Sequence, residues 1–457
     1  MSKTNIYIDI GSTFIKLIIS KNPDHQDDIV PYVKEGSEEN KAYLSPSSCR
    51  VERCKNILSV DSGIFIMESI RRCYELKVQD QVESIIQDFK KKYPDASISI
   101  CSSANGGIRV GIIALTEIYS GQIASMVANS VGANVRFVHT PFRDSLHTVN
   151  VESVDLLILI GGIGVEKSVI VEEWLRTIHL PLYGYKKLLF CCHKDYIALF
   201  KQFSPIQVEN PISNDLKICS NHLSDLIRTF YLDDLSQRDD IKYLQKYSNL
   251  PICATPYIVS AAFKGHRNFS IGDEIAYPFV AIDIGGATTD IHFGLESVSN
   301  QSVSKHFGRT VFRLVMTELG TFASKQSVID QAKKHIKLYD ILMQIYDKAS
   351  ILETHQNLKN NNAEECLLAY LCFFFSIEKM ISGYEGVFLD FSKVQTILLT
   401  GGASQIVDLS IVRKLFNLLD KESSPVVVLD KKYLMWHFGF HFVAEENSNE
   451  LHSEIYN

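Results

Sequence analysis

No two of the ten cysteines stand in a Cys-x-x-Cys spacing, and the adjacent Cys191–Cys192 has no second pair to complete a zinc site. Scattered thiols in a chain this long point to reduced, buried core residues and exclude a disulfide framework. No apolar run is long enough for a bilayer: the longest, CLLAYLCFFF after Glu365, is expected to be a buried helix, so no membrane association is expected. No basic cluster stands out from a net charge of -7, and DFKKKYPD is the solvated end of a helix, which argues against a nucleic-acid partner. The N-terminal MSKTNIYIDIGS enters a strand almost at once, so no signal peptide and a cytoplasmic location are expected.

What is present is a globular composition. A hydrophobic content of 46% in 457 residues is too much chain for one simple core and predicts at least two lobes. NIYIDIGSTFIKLIIS reads as strand, Gly-Ser-Thr turn and return strand. The apolar spacing from Gly63 to Tyr93 predicts a helix ending in a lysine run. Short apolar strands at VDLLILIGG, KKLLFCCH and SPIQVENP, separated by helix-length segments, carry the rhythm of parallel α/β units. Residues 140 to about 249 therefore read as an inserted α/β part. The stretch from Thr310 to about Ser382 reads as mostly helical, and VQTILLTGGASQIVDLSIVRKLF as strand, Gly-Gly turn and helix. Two segments repeat one pattern: YIDIGSTFIKL and AIDIGGATTDI are each an apolar strand ending in Asp-Ile-Gly, small residues, Thr and a return strand. One copy per half predicts two similarly folded lobes.

Glycine lets a turn aim several backbone N–H groups at one anion without a side chain in the way. Gly285, Gly286, Ala287, Thr288 and Thr289 are expected to form one such phosphate nest, and Gly11, Ser12 and Thr13 a second. Asp9 and Asp283 would repel bare phosphate and are expected instead to hold a hydrated Mg2+. Lys16 would reach the terminal phosphates. A third turn, LLTGGAS, follows a strand and opens a helix, and its bare Gly401–Gly402 backbone suits a nucleotide's adenosine part or its phosphates. Two other motifs are set aside. LILIGGIGVEKS places Glu166 where a P-loop needs its second glycine, so it reads as a turn after a core strand. Asp290–His292 imitates a cobalamin-binding signature, but Gly294 comes one residue early and His292 falls on a return strand; no direct cobalamin site is expected.

The order of two phosphate turns and a late Gly-Gly turn resembles the actin/Hsp70/sugar-kinase ATPase superfamily. Within it, ICSSANGGIRVGIIALTEIYSGQIASMVANSVGANV, ATPYIVSAAF and VAIDIGGATTDIH resemble the GlmL/MutL family of glutamate-mutase accessory proteins, reactivating chaperones of adenosylcobalamin enzymes. The resemblance implies an α/β fold of two ribonuclease-H-like lobes closing on ATP and Mg2+, with an extended α/β insertion in the first half. It implies a first lobe over 1–277, a second over 278–444 and a polar tail over 445–457. It also implies Mg2+ organised by Asp9 and Asp283, adenosine against Gly401, Gly402 and Ala403, and an adenosylcobalamin-dependent mutase subunit as partner. The chain departs from the family in IGVEKS, around Leu216 to Leu226, and after the RTV at 309–311.

A reactivating ATPase is the first expectation, with Asp283 or Asp290 orienting the attacking water. A small-molecule kinase would need a carboxylate base, for which Asp144 and Asp155 are candidates by elimination. A nucleotide-gated scaffold without catalysis is the third reading. CSSANGG, from Cys101 to Gly107, suits either close backbone approach or a packed turn, and no catalytic role is assigned to Cys101.

Overall fold

Ile6, Tyr7, Ile8, Asp9 and Ile10 are all buried, so the first strand is covered on both faces, as expected of a strand apolar on both sides. A computed structural model describes residues 4–11, 14–21, 53–60, 63–71, 76–102, 108–140, 154–164, 166–178, 180, 184–216, 218–219, 221–263, 268–270, 274–299, 311–335, 338, 362–384, 387–431, 434–440 and 443. Two compact units emerge: Met1–Gly107 with Thr229–Ala262 and Trp436–Asn457, and Ile108–Arg228 with Phe263–Met435.

The first unit carries strands β1 (Thr4–Ile10), β2 (Phe14–Lys21), β3 (Arg53–Val60) and β4 (Gly63–Arg71), helix α1 (Val78–Lys92) and strand β5 (Ser97–Ser102). The second unit opens with an all-parallel sheet of β6 (Arg109–Ala114), β7 (Asn134–His139), β8 (Leu156–Ile160), β9 (Lys187–Cys191) and β10 (Ile206–Gln207), in the order β10-β9-β8-β6-β7. Helices α2 (Gln122–Ser130) and α3 (Val169–Thr177) belong to this part. The parallel sheet begins at Arg109, upstream of residue 140. Helices α4 (Asn221–Gln237) and α5 (Asp239–Gln245) lead to strand β11 (Cys253–Ala254) and helix α6 (Thr255–Phe263).

β11 completes the first sheet, whose order is β11-β5-β1-β2-β4-β3. A short hairpin of β12 (Asn268–Ser270) and β13 (Glu274–Ala276) precedes the last sheet, made of β14 (Phe279–Ile284), β15 (Thr289–Gly294), β16 (Val311–Met316), β17 (Thr396–Thr400) and β18 (Val426–Leu429). Helices α7 (Lys325–Lys334), α8 (Asn362–Ser382) and α9 (Leu409–Leu419) accompany it. Its order, β16-β15-β14-β17-β18, matches β4-β2-β1-β5-β11 strand for strand. In each case two successive antiparallel pairings lie on one side of the first strand and two successive parallel pairings on the other. The repeated sequence pattern is thus a repeated sheet topology.

Two stretches differ from the sequence expectation. Gly63–Arg71 is a strand paired along its length with β2 and β3, and the helix begins only at Val78. Val311–Met316 is likewise a strand, paired with β15, inside the stretch read as helical. Both are short runs, apolar on both faces, for which periodicity does not separate strand from helix; available edges decide. The CLLAYLCFFF run does form a helix, with Phe373 and Phe375 fully buried. Among the described residues no helix is long and apolar enough to cross a membrane.

Candidate functional site

Asp9 and Asp283 occupy equivalent places, each at the penultimate residue of the first strand of its sheet. In the first unit Asp9 pairs in register with Lys16 on β2 and with Cys101 on β5. The carboxylate is 1% exposed, yet it has three polar neighbours. The Thr255 hydroxyl donates to Oδ1 at 2.6 Å, the Cys101 thiol approaches the same oxygen at 3.7 Å, and Lys16 Nζ lies 3.7 Å from Oδ2. Burial, and then the Asp9 charge, push the Cys101 thiol well up, so it stays protonated and unreactive. Gly11 follows β1 half-buried. Ser12 and Thr13, like Ser103 to Gly107 of the CSSANGG turn, lie outside the described residues.

In the second unit the turn between β14 and β15 uses its two kinds of backbone group very differently. All four carbonyls from Gly285 to Thr288 accept hydrogen bonds. Thr321 N donates to Gly285 O at 3.1 Å, and Phe322 N and Ala323 N donate to Gly286 O at 2.7 and 2.8 Å. The Ser324 hydroxyl donates to Ala287 O at 2.6 Å, and Gly285 N closes the turn on Thr288 O at 2.9 Å. The N–H groups of Gly286, Ala287 and Thr288 have no acceptor among the described residues. A strip over 320–324 therefore buttresses the turn from its carbonyl side, leaving consecutive donors for an anion. Gly320 makes this possible: a Cβ there would lie 2.5 Å from the Ala287 carbonyl carbon. Thr289 is fully buried and its hydroxyl donates to Leu319 O at 3.0 Å, so its side chain holds the turn in place.

Asp283 is half-buried and pairs in register with Thr400, which precedes the third turn. Gly401 has φ +83, and a Cβ on it would run into Asp283 Oδ1 and, at 2.6 Å, the Ile284 carbonyl oxygen. Gly402 is different: a Cβ there would meet nothing within 4 Å. The N–H groups of Gly402 and of the buried Ala403 have no acceptor among the described residues. Asp430, 1% exposed, organises this loop by accepting the Thr400 hydroxyl at 2.9 Å and the Leu434 and Met435 amides.

These neighbours separate fold from ligand at two adjacent glycines. Gly401→Ala is expected to destabilise the protein by about 2–4 kcal/mol through its left-handed φ and the collision. Gly402→Ala is expected to leave stability within about 0.5 kcal/mol. Under the nucleotide contact expected from the sequence, it should nonetheless weaken nucleotide binding by about tenfold, a loss of one close backbone contact. Denaturant melts and nucleotide titrations of both variants check this.

Asp290 sits elsewhere in the argument. It is buried on β15, where Arg313 Nη2 donates to Oδ1 at 2.9 Å and Arg313 Nη1 donates to the Asn129 carbonyl at 3.0 Å. Burial raises the Asp290 pKa, and the Arg313 charge pulls against it. The carboxylate is thus committed to a buried ion pair that also caps the last turn of α2. His292 is fully buried on the same strand with its ring 5.5 Å from Phe263; burial, then the Arg313 charge, holds its pKa well below the ordinary range. It is a neutral core histidine. Glycine at 161 is explained by packing as well, because a Cβ would lie 2.5 Å from Trp174 Cζ3.

Among the described residues the kinase alternative gains no base. Asp144 lies outside the described residues. Asp155 is bound by Arg109 Nε at 3.0 Å, Arg109 N at 3.1 Å and Lys186 at 3.2 Å. Burial raises its pKa, but these partners outweigh it and bring it to about 2, which makes a poor proton acceptor.

Thr255, the 320–324 strip, Arg313 and Asp430 were not singled out as site residues by sequence reasoning. A Thr-Pro pair at the start of an apolar helix and the Gly320 between β16 and α7 were the available signals.

Comparison with known proteins supplies the remaining finding. The family model described as MutL protein matches residues 205–453, more than half of the chain. Protein MutL of Clostridium tetanomorphum is 22% identical over 297 residues, which cover 63% of this chain and 57% of that protein. The chain thus spans less than two thirds of the length of this curated relative.

Proposed function

The chain belongs to the MutL protein family, and on that premise we propose that it binds ATP with Mg2+ and hydrolyses it as a reactivating accessory protein of an adenosylcobalamin-dependent mutase of the glutamate-mutase kind. The observation that carries the nucleotide reading is the turn at 285–288, whose carbonyls are all engaged while three consecutive N–H groups are not. Such a turn is preorganised for phosphate oxygens and would donate most strongly where charge develops in the transition state. The bare Gly402 surface supports an adenosine contact. The matched strand orders of the two sheets support the actin/Hsp70-type ATPase fold.

Asp9 and Asp283 would hold the Mg2+, which neutralises phosphate charge when bound. Both carboxylates lie one residue before the end of the first strand of their sheets, close to a glycine turn. Of the two candidates for orienting the attacking water, Asp283 is preferred, because Asp290 is engaged with Arg313. Lys16, 20% exposed and beside Asp9, would balance charge at the first turn. A cytoplasmic location belongs to the same proposal; the seven cysteines whose side chains are described are free thiols.

The experiment is ATP turnover by the full chain alone, with hydroxyl acceptors, and with an adenosylcobalamin mutase carrying damaged cofactor. The reading expects slow turnover alone, no stimulation by acceptors, and a response to the mutase. Rapid turnover that depends on a small acceptor would replace it with a kinase. Tight binding without any turnover would replace it with a nucleotide-gated scaffold.

A further inference from the structure

The proposed nucleotide contacts leave two of the segments that mark the family unexplained: ATPYIVSAAF, and the one that starts at Ile100 and Cys101 near the end of β5. Both converge on one atom. Asp9, Cys101 and Cys253 stand in register across the adjacent strands β1, β5 and β11. Thr255 follows β11 at once and opens α6. Its hydroxyl, 4% exposed as a residue, donates to Asp9 Oδ1 at 2.6 Å. The Cys101 thiol adds a weaker contact to the same oxygen at 3.7 Å and lies 3.4 Å from Thr255 Oγ1.

We infer that Thr255 is a positioning residue for the Asp9 carboxylate, and that this is what its segment contributes to the Mg2+–nucleotide site. The inference rests on the nucleotide reading proposed above. A buried carboxylate has two oxygens to satisfy. Thr255 and Cys101 take Oδ1, and that fixes the rotation of the group. Oδ2, the oxygen beside Lys16, is then left to face the hydrated cation. A hydroxyl is suited to this, since it donates without adding charge and leaves the carboxylate its full negative charge for the metal. It also sits at the start of a helix, where negative charge is favoured. A lost hydroxyl leaves Asp9 buried with one oxygen short of its main donor and free to turn about its last torsion. Magnesium tolerates little departure from its preferred geometry, so the metal requirement should change before the nucleotide contacts do.

The test compares wild type, Thr255→Val, Thr255→Ala and Thr255→Ser as full chains. Each is titrated with ATP in EDTA and then with Mg2+ at fixed ATP. Thr255→Val keeps the shape and removes the donor, and Thr255→Ala serves in case the isostere does not fold. The expected result is an Mg2+ midpoint raised about tenfold or more in the variants lacking the hydroxyl, a shift of the size seen when groups orienting a metal ligand are removed. Metal-free ATP affinity should be unchanged, and Thr255→Ser should restore the wild-type midpoint. A purely structural role would move melting and both titrations together and would not be rescued selectively. An unchanged Mg2+ midpoint in folded Thr255→Val or Thr255→Ala, with wild type binding Mg–ATP, overturns the inference alone. A wild type that binds no nucleotide overturns the proposed function and this inference with it.

Discussion

Asp283→Ala is expected to lose Mg2+-dependent ATP binding and turnover, by at least about a hundredfold, while melting like wild type. Removing groups that merely orient a metal ligand costs about 10–100-fold in affinity, and a group proposed to face the metal's own water shell should cost no less. The side chain is half-buried and packs beside Gly401, so truncation removes charge without opening a core cavity. Titration with ATP in EDTA provides the internal control, because the N–H groups of Gly286, Ala287 and Thr288 remain in place. A variant that hydrolyses ATP at the wild-type rate would show that the site has been assigned to the wrong turn.

Arg313→Ala is expected to be the most destabilising single change discussed here, at about 3–5 kcal/mol by chemical denaturation at neutral pH. It leaves the buried Asp290 charge without its partner and the Asn129 carbonyl without its donor. The sign of the pH dependence follows from the raised Asp290 pKa. A carboxyl whose folded pKa lies above its unfolded value favours the folded state at low pH and loses that contribution as pH rises through the folded pKa. Without Arg313 the folded pKa rises further. The deficit of the variant should therefore be largest at neutral pH and shrink on acidification, where Asp290 takes up a proton. A deficit independent of pH would mean that packing, not charge, accounts for the loss.

What the sequence made legible was the pair of hairpins. Asp-Ile-Gly after an apolar strand signals a turn at the strand's end, and the structure places Asp9 and Asp283 at the same position of two sheets with the same order. Short runs apolar on both faces were not legible. Gly63–Arg71 and Val311–Met316 became strands because neighbouring edges could pair with them, which no local spacing records. The supports of the candidate site were hidden for a related reason. Thr255 reaches Asp9 across most of the chain, and the strip at 320–324 meets the turn at 285–288 only after β15 and β16 have paired. Asp290 shows the opposite limit. The sequence offers it, with Asp283, for orienting the attacking water, but the neighbour that engages it, Arg313, lies on a strand inside the stretch that reads as helical.

The most direct measurement is calorimetric titration of the full wild-type chain with ATP, with and without Mg2+. The account predicts saturable binding at a single site that strengthens with Mg2+, a strengthening that is lost in Asp283→Ala. Binding that is absent, or that takes no notice of Mg2+ or of Asp283, would contradict it.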